Sequence, residues 1–218
     1  MNYKLLALGG DGIGPEVLES GLSILEAISE KNNINFEISF DLIGGTCWDK
    51  YGTFCRNSTI EKAIESDAIL VGAVGGPKWD AMKIKGDPEE QDGLMCLRKK
   101  LGAFFGIRPA KNYKSLQNIN PFNKEYVQNS EIIILREMCG GVMFSKPRGL
   151  KFLENDERYG FDTAGYNEFE IREFAKCGFE LAKMYNKNII SIDKSNVMES
   201  YRLWRDVVQE VSNDYNDI

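Results

Sequence analysis

From Tyr3 to Leu8 the chain is almost wholly apolar and then meets Gly9-Gly10, which reads as a buried strand running into a turn. Pro15 follows at the start of a stretch whose apolar residues recur at Leu18, Leu22 and Leu25, with Val17, Ile24 and Ile28 adjoining, the spacing of an amphipathic helix. Ile34, Phe36, Ile38, Phe40 and Leu42 alternate with Asn35, Glu37, Ser39 and Asp41, a period of two that predicts a strand with one polar face. Ser58 or Thr59 can cap a helix carrying Ile60, Ala63 and Ile64. The continuous apolar run from Ala68 to Val74 suits a parallel strand covered on both faces.

Between Gly75 and Gly93 the chain turns polar, with Pro77, Pro88 and the acidic run from Asp87 to Gln91, and predicts a long loop leaving the carboxyl end of a strand. A helix follows over Leu94 to Leu101, then an extended Arg108-Pro109 and an exposed Asn/Lys-rich stretch from Lys111 to Gln128. Glu131 to Arg136 and Asn188 to Ile192 read as strands, Tyr166 to Met184 and Asn196 to Val211 as helices. The pattern is α/β with a domain change near Phe105, giving expected domains of 1–105 and 106–218. It shows no internal repeat or low-complexity tract.

With 218 residues, 43% of them hydrophobic, the chain can bury a real core. The net charge of −6 with no Lys/Arg-rich run gives no reason to expect nucleic acid or an anionic membrane as partner and favours a small molecule. Met1 to Leu8 reaches glycine before a signal-peptide core could form, and no apolar run approaches membrane-spanning length, so the expected compartment is the cytoplasm. Cys47, Cys55, Cys96, Cys139 and Cys177 are widely spaced, without a CxxC, and read as reduced, mostly buried thiols. There is no histidine, which excludes Ser-His and Cys-His nucleophiles and leaves acid/base work to Lys, Tyr, Asp or Glu.

Three stretches carry the chemistry. Gly10-x-Gly12-x-Gly14 lies between a strand and a helix but has the wrong spacing for a GxGxxG dinucleotide fingerprint, so on local chemistry a tight structural turn is the simpler reading. Gly75-Gly76-Pro77-Lys78-Trp79-Asp80 standing alone would be a turn with a buried indole. Lys194, in Asp193-Lys194-Ser195-Asn196-Val197, would ordinarily be a surface charge, as would Arg98, Arg108 and Arg136 taken singly.

Together, the octet Gly10-Asp11-Gly12-Ile13-Gly14-Pro15-Glu16-Val17, the segment Gly75 to Asp80 and the stretch Asp193 to Val197 occur in an order and spacing that resemble the isocitrate/isopropylmalate β-decarboxylating dehydrogenase family, and within it the 3-isopropylmalate dehydrogenases. The resemblance covers the whole chain and implies a two-domain, non-Rossmann α/β fold, with the chain corresponding to roughly the first three fifths of a subunit. It implies oxidation of 3-isopropylmalate by NAD and loss of CO₂ to give 2-oxoisocaproate, in leucine synthesis, with Mg²⁺ or Mn²⁺. It implies that Arg98, Arg108 and Arg136 clamp a dicarboxylate, a task that suits the planar, permanently charged guanidinium. Leu94 would face the substrate's alkyl group and Val197 would line the same pocket. Gly76, Pro77, Lys78, Trp79, Asp80, Gln91, Ile13 and Asn196 would border the cofactor.

In the same resemblance Lys194 acts as base or relay on the substrate hydroxyl and reaches the site of the partner subunit. Gly140 to Gly149 resembles an arm, near residues 138–150, that pairs across a homodimer. The chain departs from the family at Met143, which stands where the family has its catalytic tyrosine and has no acidic proton to give an enol. Loss of a general acid costs roughly 10²- to 10⁴-fold in rate. Tyr159 and Tyr166 are other phenols nearby, but their spacing gives no reason to expect a replacement. Cys139, Ser145 and Gly106 also replace the usual Thr, Gly and Asn. The family's metal-binding aspartates match positions beyond Ile218, so no metal ligand is expected in this chain. Activity would then need the rest of the subunit, either as the continuation of a longer chain of which this is the N-terminal portion or as a separately encoded, complementing C-terminal chain. The alternatives are a related dehydrogenase of tartrate or homoisocitrate type, and a catalytically inactive remnant or interaction module.

Overall fold

The computed structural model describes residues 1–82, 86–128 and 130–218. The chain divides into two compact units, Met1–Ala103 and Phe104–Ile218.

In the first unit β1 (Asn2–Gly10) runs into α1 (Gly14–Asn32), then β2 (Asn35–Asp41), α2 (Gly45–Tyr51), α3 (Asn57–Ile64) and β3 (Ala68–Ala73). β1 lies in the middle of a parallel sheet of order β2-β1-β3, with Leu5 opposite both Ile38 and Ala68. Its central position explains why Leu5 to Leu8 are apolar without alternation: both faces of this strand are covered. Leu6 and Leu8 join Ile43, Ala63 and Leu97 in one core, with Ile69 and Val71 packed against it. β3 is only half-buried and occupies an edge of the sheet, so the expectation of a doubly covered strand is corrected: no described strand pairs with its outer side. On α1, Leu18 is buried while Val17, Ile24 and Ile28 are exposed.

Neither Ser58 nor Thr59 caps α3. Arg56 holds the cap position without a side-chain bond, and Thr59 is fully buried with its hydroxyl unpaired among the described residues. Arg56 and Lys62 instead both reach the carboxylate of Asp41 at the end of β2. The segment expected as a loop from Gly75 to Gly93 holds two one-turn helices, α4 (Pro77–Asp80) and α5 (Pro88–Gln91), each begun by proline at its first turn. Residues 83–85 of that segment lie outside the described residues. α6 (Gly93–Leu101) is capped by Asp92, whose carboxylate accepts from the N–H groups of Leu94 and Met95. Cys47 and Cys55 are buried, while Cys96, Cys139 and Cys177 are only half-buried, fewer than the sequence pattern suggests.

The second unit opens with β4 (Phe105–Lys111), a 3₁₀ turn at Lys114–Ile119 and the short α7 (Lys124–Val127), then β5 (Glu131–Glu137), antiparallel to β4. After a 3₁₀ turn at Gly141–Met143 come β6 (Gly149–Phe152) and β7 (Arg158–Phe161), which form an exposed hairpin, and then α8 (Glu168–Tyr185) and α9 (Glu199–Ser212). The two helices pack through Ala175, Phe179 and Val211. Asn167 begins α8 with a capping box to Glu170, two residues after the expected start.

Asn188–Ile192 is not a strand. It pairs with no described neighbour, and Ile190 and Ile192 are 87% and 85% exposed. α9 likewise starts at Glu199 rather than Asn196, because residues 194–198 form a turn in which the Lys194 carbonyl accepts from the N–H groups of Val197 and Met198. Among the described residues no helix is long and apolar enough to cross a membrane.

Candidate active site

In the first unit the glycine turns are fixed by close backbone approach. Gly10 has φ +76°, and a Cβ there would lie 1.9 Å from the Ala73 carbonyl oxygen, so β1 can turn against the end of β3 only with glycine. The next residue, Asp11, is 2% exposed, and its carboxylate accepts from the backbone N–H groups of Gly45, Thr46 and Gly75 at 2.8, 2.7 and 2.9 Å. One carboxylate thus joins the β1–α1 turn to the first turn of α2 and to the turn that follows β3. Charge-assisted bonds of this kind are shorter and stronger than neutral ones.

Gly75 leads into Gly76, Pro77, Lys78, Trp79 and Asp80. The Trp79 indole lies directly on Gly45, where a Cβ would fall 2.0 Å from the ring, and its N–H donates to Asp49 at 3.2 Å. Lys78 donates to the same carboxylate at 2.6 Å. These bonds, Lys78 first and Trp79 second, hold the Asp49 carboxyl below its usual range. A cavity of about 160 Å³ opens beside this turn, bordered by Gly75, Trp79, Asp80 and Gln91. The structure therefore brings together Asp80, Trp79 and Gln91 of the expected cofactor residues. Ile13 stands 62% exposed at the start of α1. On α6, Leu94 and Arg98 are four residues apart on one face and half-buried, with Leu97 turned into the core.

In the second unit the β4–β5 register places Gly106 opposite Arg136 and Arg108 opposite Ile134. Residues opposite one another in an antiparallel pair share a face, so Arg108 and Arg136 stand diagonally on the same face of the ladder, roughly 7–8 Å apart by the usual spacing. Both are exposed. The turn after β5 is braced by Glu137, whose carboxylate accepts from the N–H groups of Cys139 and Gly140, and by Arg148, which donates to the Met143 carbonyl at 2.6 Å. The Met143 sulfur accepts from the Arg136 guanidinium at 3.3 Å.

The Tyr166 ring packs on this same turn: a Cβ on Gly141 would lie 2.2 Å from its hydroxyl. Sequence spacing gave no reason to bring that phenol to the Met143 turn, yet the fold does so. Burial first, and the Glu137 charge second, push the Tyr166 phenol up to about 12, so it stays protonated throughout the neutral range.

Lys194, Asn196 and Val197 are exposed on the turn before α9. Asp193 is different. Its side chain is 4% exposed and accepts from Arg205 through both Nε and a terminal nitrogen, each at 3.0 Å, and from the Ser195 N–H at 2.9 Å. The Arg205 fork first, and the Ser195 amide next, bring the Asp193 carboxyl down to about 2.

Sequence reasoning missed Asp11, Asp49, Asp193 and Arg205. Asp11 and Asp193 lie within the quoted motifs, but their partners are backbone amides or a side chain a helix away, which motif spacing does not reveal. Among the described residues no three acidic, thiol or imidazole side chains converge, so these residues by themselves do not offer the oxygen-rich set that the implied divalent metal needs.

Residues 4–218 match the family described as isocitrate/isopropylmalate dehydrogenase, and the chain belongs to that family. It is 44% identical over all 218 residues to a 3-isopropylmalate dehydrogenase of Pseudomonas fluorescens and 44% to one of Xanthomonas euvesicatoria, and it spans 60% of the length of each. Among solved structures, an isocitrate dehydrogenase from Methylococcus capsulatus aligns with 99% of this chain and 58% of its own at a TM-score of 0.81 and 16% identity. A beta-decarboxylating dehydrogenase from Thermococcus kodakarensis aligns at 0.69 and 24%, over 97% of this chain and 55% of its own. At these identities the structures establish the fold.

Proposed function

We propose that this chain forms the N-terminal part of an NAD-dependent dehydrogenase that oxidises the 2-hydroxyl of 3-isopropylmalate and releases CO₂ to give 2-oxoisocaproate, as in leucine synthesis. The observation that carries this reading is the β4–β5 ladder, which presents Arg108 and Arg136 on one face at a spacing that suits the two carboxylates of a diacid. By the family resemblance alone, Arg98 and Leu94, on one face of α6, are assigned to the diacid and to its alkyl group. By the family resemblance Lys194 takes the hydroxyl proton while the C2 hydrogen leaves as hydride to NAD, and Gly76, Pro77, Lys78, Trp79, Asp80, Gln91, Ile13 and Asn196 are assigned to the cofactor.

The resulting β-keto acid loses its carboxylate as CO₂, and the enol left behind takes a proton at C3. Met143 cannot give that proton. A divalent metal would stabilise the enolate when bound, and its ligands are assigned to no residue here. Val197 lines the alkyl side, and the arm at 138–150 serves a homodimer or a complementing C-terminal chain.

Met143 against Arg136 also supports a second reading, in which the diacid differs from isopropylmalate at the carbon that is protonated. The test is NAD reduction with 3-isopropylmalate and Mg²⁺, by this chain alone and by this chain supplied with a family C-terminal segment. Turnover in the mixture is expected. Turnover only on tartrate or homoisocitrate would select the second reading, and silence on every diacid from a co-eluting folded complex would sink both in favour of an inactive interaction module.

A further inference from the structure

Among the described residues the segment that carries Lys194 pairs with no strand. Residues 187–194 form neither helix nor strand, and proton transfer requires a lysine held to within a fraction of an ångström. What fixes it comes from α9. Arg205 forks onto the buried carboxylate of Asp193, the residue before Lys194. Arg202, three positions earlier and so on the same helix face, donates from Nε to the Ser195 carbonyl at 3.1 Å, the residue after Lys194. The indole N–H of Trp204 reaches the Ser191 hydroxyl at 3.3 Å.

The backbone is thus gripped on both sides of Lys194. The Lys194 carbonyl is itself engaged by Val197 and Met198. Only its side chain is left to move. Trp204 in turn is seated against Tyr166 and Phe174, at ring separations of 5.2 and 5.4 Å, so α9, from which both arginines reach, is anchored to the unit by its neighbouring face.

From this geometry we infer that Arg205 and Arg202 are positioning residues for Lys194, acting through Asp193 and the Ser195 carbonyl. The inference rests on the role proposed above for Lys194. It assigns work to two arginines that motif reading passes over as solvated helix charges. The chemistry requires arginine at position 205 rather than any cation. Two parallel N–H bonds fix the orientation of a carboxylate, whereas an ammonium supplies a single point charge.

The test uses the chain complemented with a family C-terminal segment and compares wild type with Arg205→Ala, Arg205→Lys and Arg202→Met. Arg205 is 64% exposed along its side chain, so its truncation leaves the core of the unit intact. Amide hydrogen exchange at Ser195, Val197 and Met198 is expected to quicken at least about tenfold in Arg205→Ala while the α8 amides keep their protection. The value of kcat is expected to fall by about 10²-fold with KM for the diacid within about twofold, and Arg205→Lys should recover part of the loss.

Unchanged exchange at those three amides would overturn the clamp. So would faster exchange with unchanged kcat, or a KM rise that accounts for the whole loss. If Arg205→Ala does not fold, Arg202→Met carries the same comparison through the Ser195 carbonyl. Should the wild-type complex turn over no diacid at all, the role of Lys194 fails, and the exchange data still decide separately whether the arginines hold the turn.

Discussion

The two units hold their reactive turns by opposite means. In Met1–Ala103 the Gly75–Asp80 turn is tied from beneath, by the buried Asp11 carboxylate gathering three backbone amides and by glycines whose Cβ positions are already occupied by neighbouring atoms. In Phe104–Ile218 the Met143 and Lys194 turns are tied from the side, by Arg148, Arg202 and Arg205 reaching across from exposed positions. The first arrangement has desolvated its charge and depends on its partners staying in place; the second keeps its cations in water and can be altered one side chain at a time. The first turn should therefore tolerate almost no substitution at its anchor, whereas the second should tolerate many at graded cost.

The largest expected effect is at Asp11. Asp11→Ala removes the acceptor from three N–H groups, and each buried donor left unpaired costs about 1–3 kcal/mol. Urea unfolding should show a loss of about 3 kcal/mol or more, with the midpoint falling and the slope unchanged. A loss below about 1 kcal/mol would mean that water replaces the carboxylate, and the contrast between the units would collapse. Asp11→Asn should fall between, since its amide turns one donor toward another.

What could be read beforehand follows the same division. The strand, turn and helix at Tyr3 to Ile28 were legible because burial on both faces of β1 and one face of α1 leaves a periodic mark. The Arg108 and Arg136 pairing was legible only as two motif positions, and the antiparallel register is what places them on one face. Asn188–Ile192 misled because alternating isoleucines meet the local requirement of a strand, while a strand also needs a neighbour to bond. Ser58 and Thr59 have the chemistry of a cap, but α3 begins with Arg56, whose side chain is committed to Asp41. Asp11 and Tyr166 were beyond reach for one reason: their partners, Gly75 and Gly141, are 64 and 25 residues away in the sequence, at distances that the local pattern does not set.

The second unit's adaptable turn gives the intermediate prediction. The Met143 sulfur sits 3.3 Å from the Arg136 guanidinium, in a turn whose Gly141 meets the Tyr166 ring and whose backbone is held by Glu137 and Arg148 rather than by the Met143 side chain. Met143→Tyr should therefore be accommodated without moving the backbone and should place a phenol next to a positive charge that favours proton release. In the complemented enzyme kcat on 3-isopropylmalate is expected to rise about tenfold or more, short of the full value of an optimised general acid. An unchanged kcat would show that the enol already takes its proton from another donor. Tyr166→Phe would then be the variant to measure, since that phenol lies against the same turn.

The smallest effect is the acid titration of Asp193, and it tests the surface clamp directly. The folded carboxyl is brought down to about 2 from an ordinary value of 3.8, with the Arg205 fork as the leading cause and the Ser195 amide next. A group whose folded pKa is depressed contributes stability that is fully present above its unfolded value and is lost as the pH falls through its folded value, so the window runs from about pH 4 down to about pH 2. The Arg205 Nε–H resonance, followed through that window at low salt, should keep its bonded position below pH 3 and move with a midpoint near 2. A midpoint near 3.8 would mean that the fork does not hold the carboxylate in solution. Because the cation of this pair is largely in water, added salt should shift the midpoint upward, toward the ordinary value of 3.8.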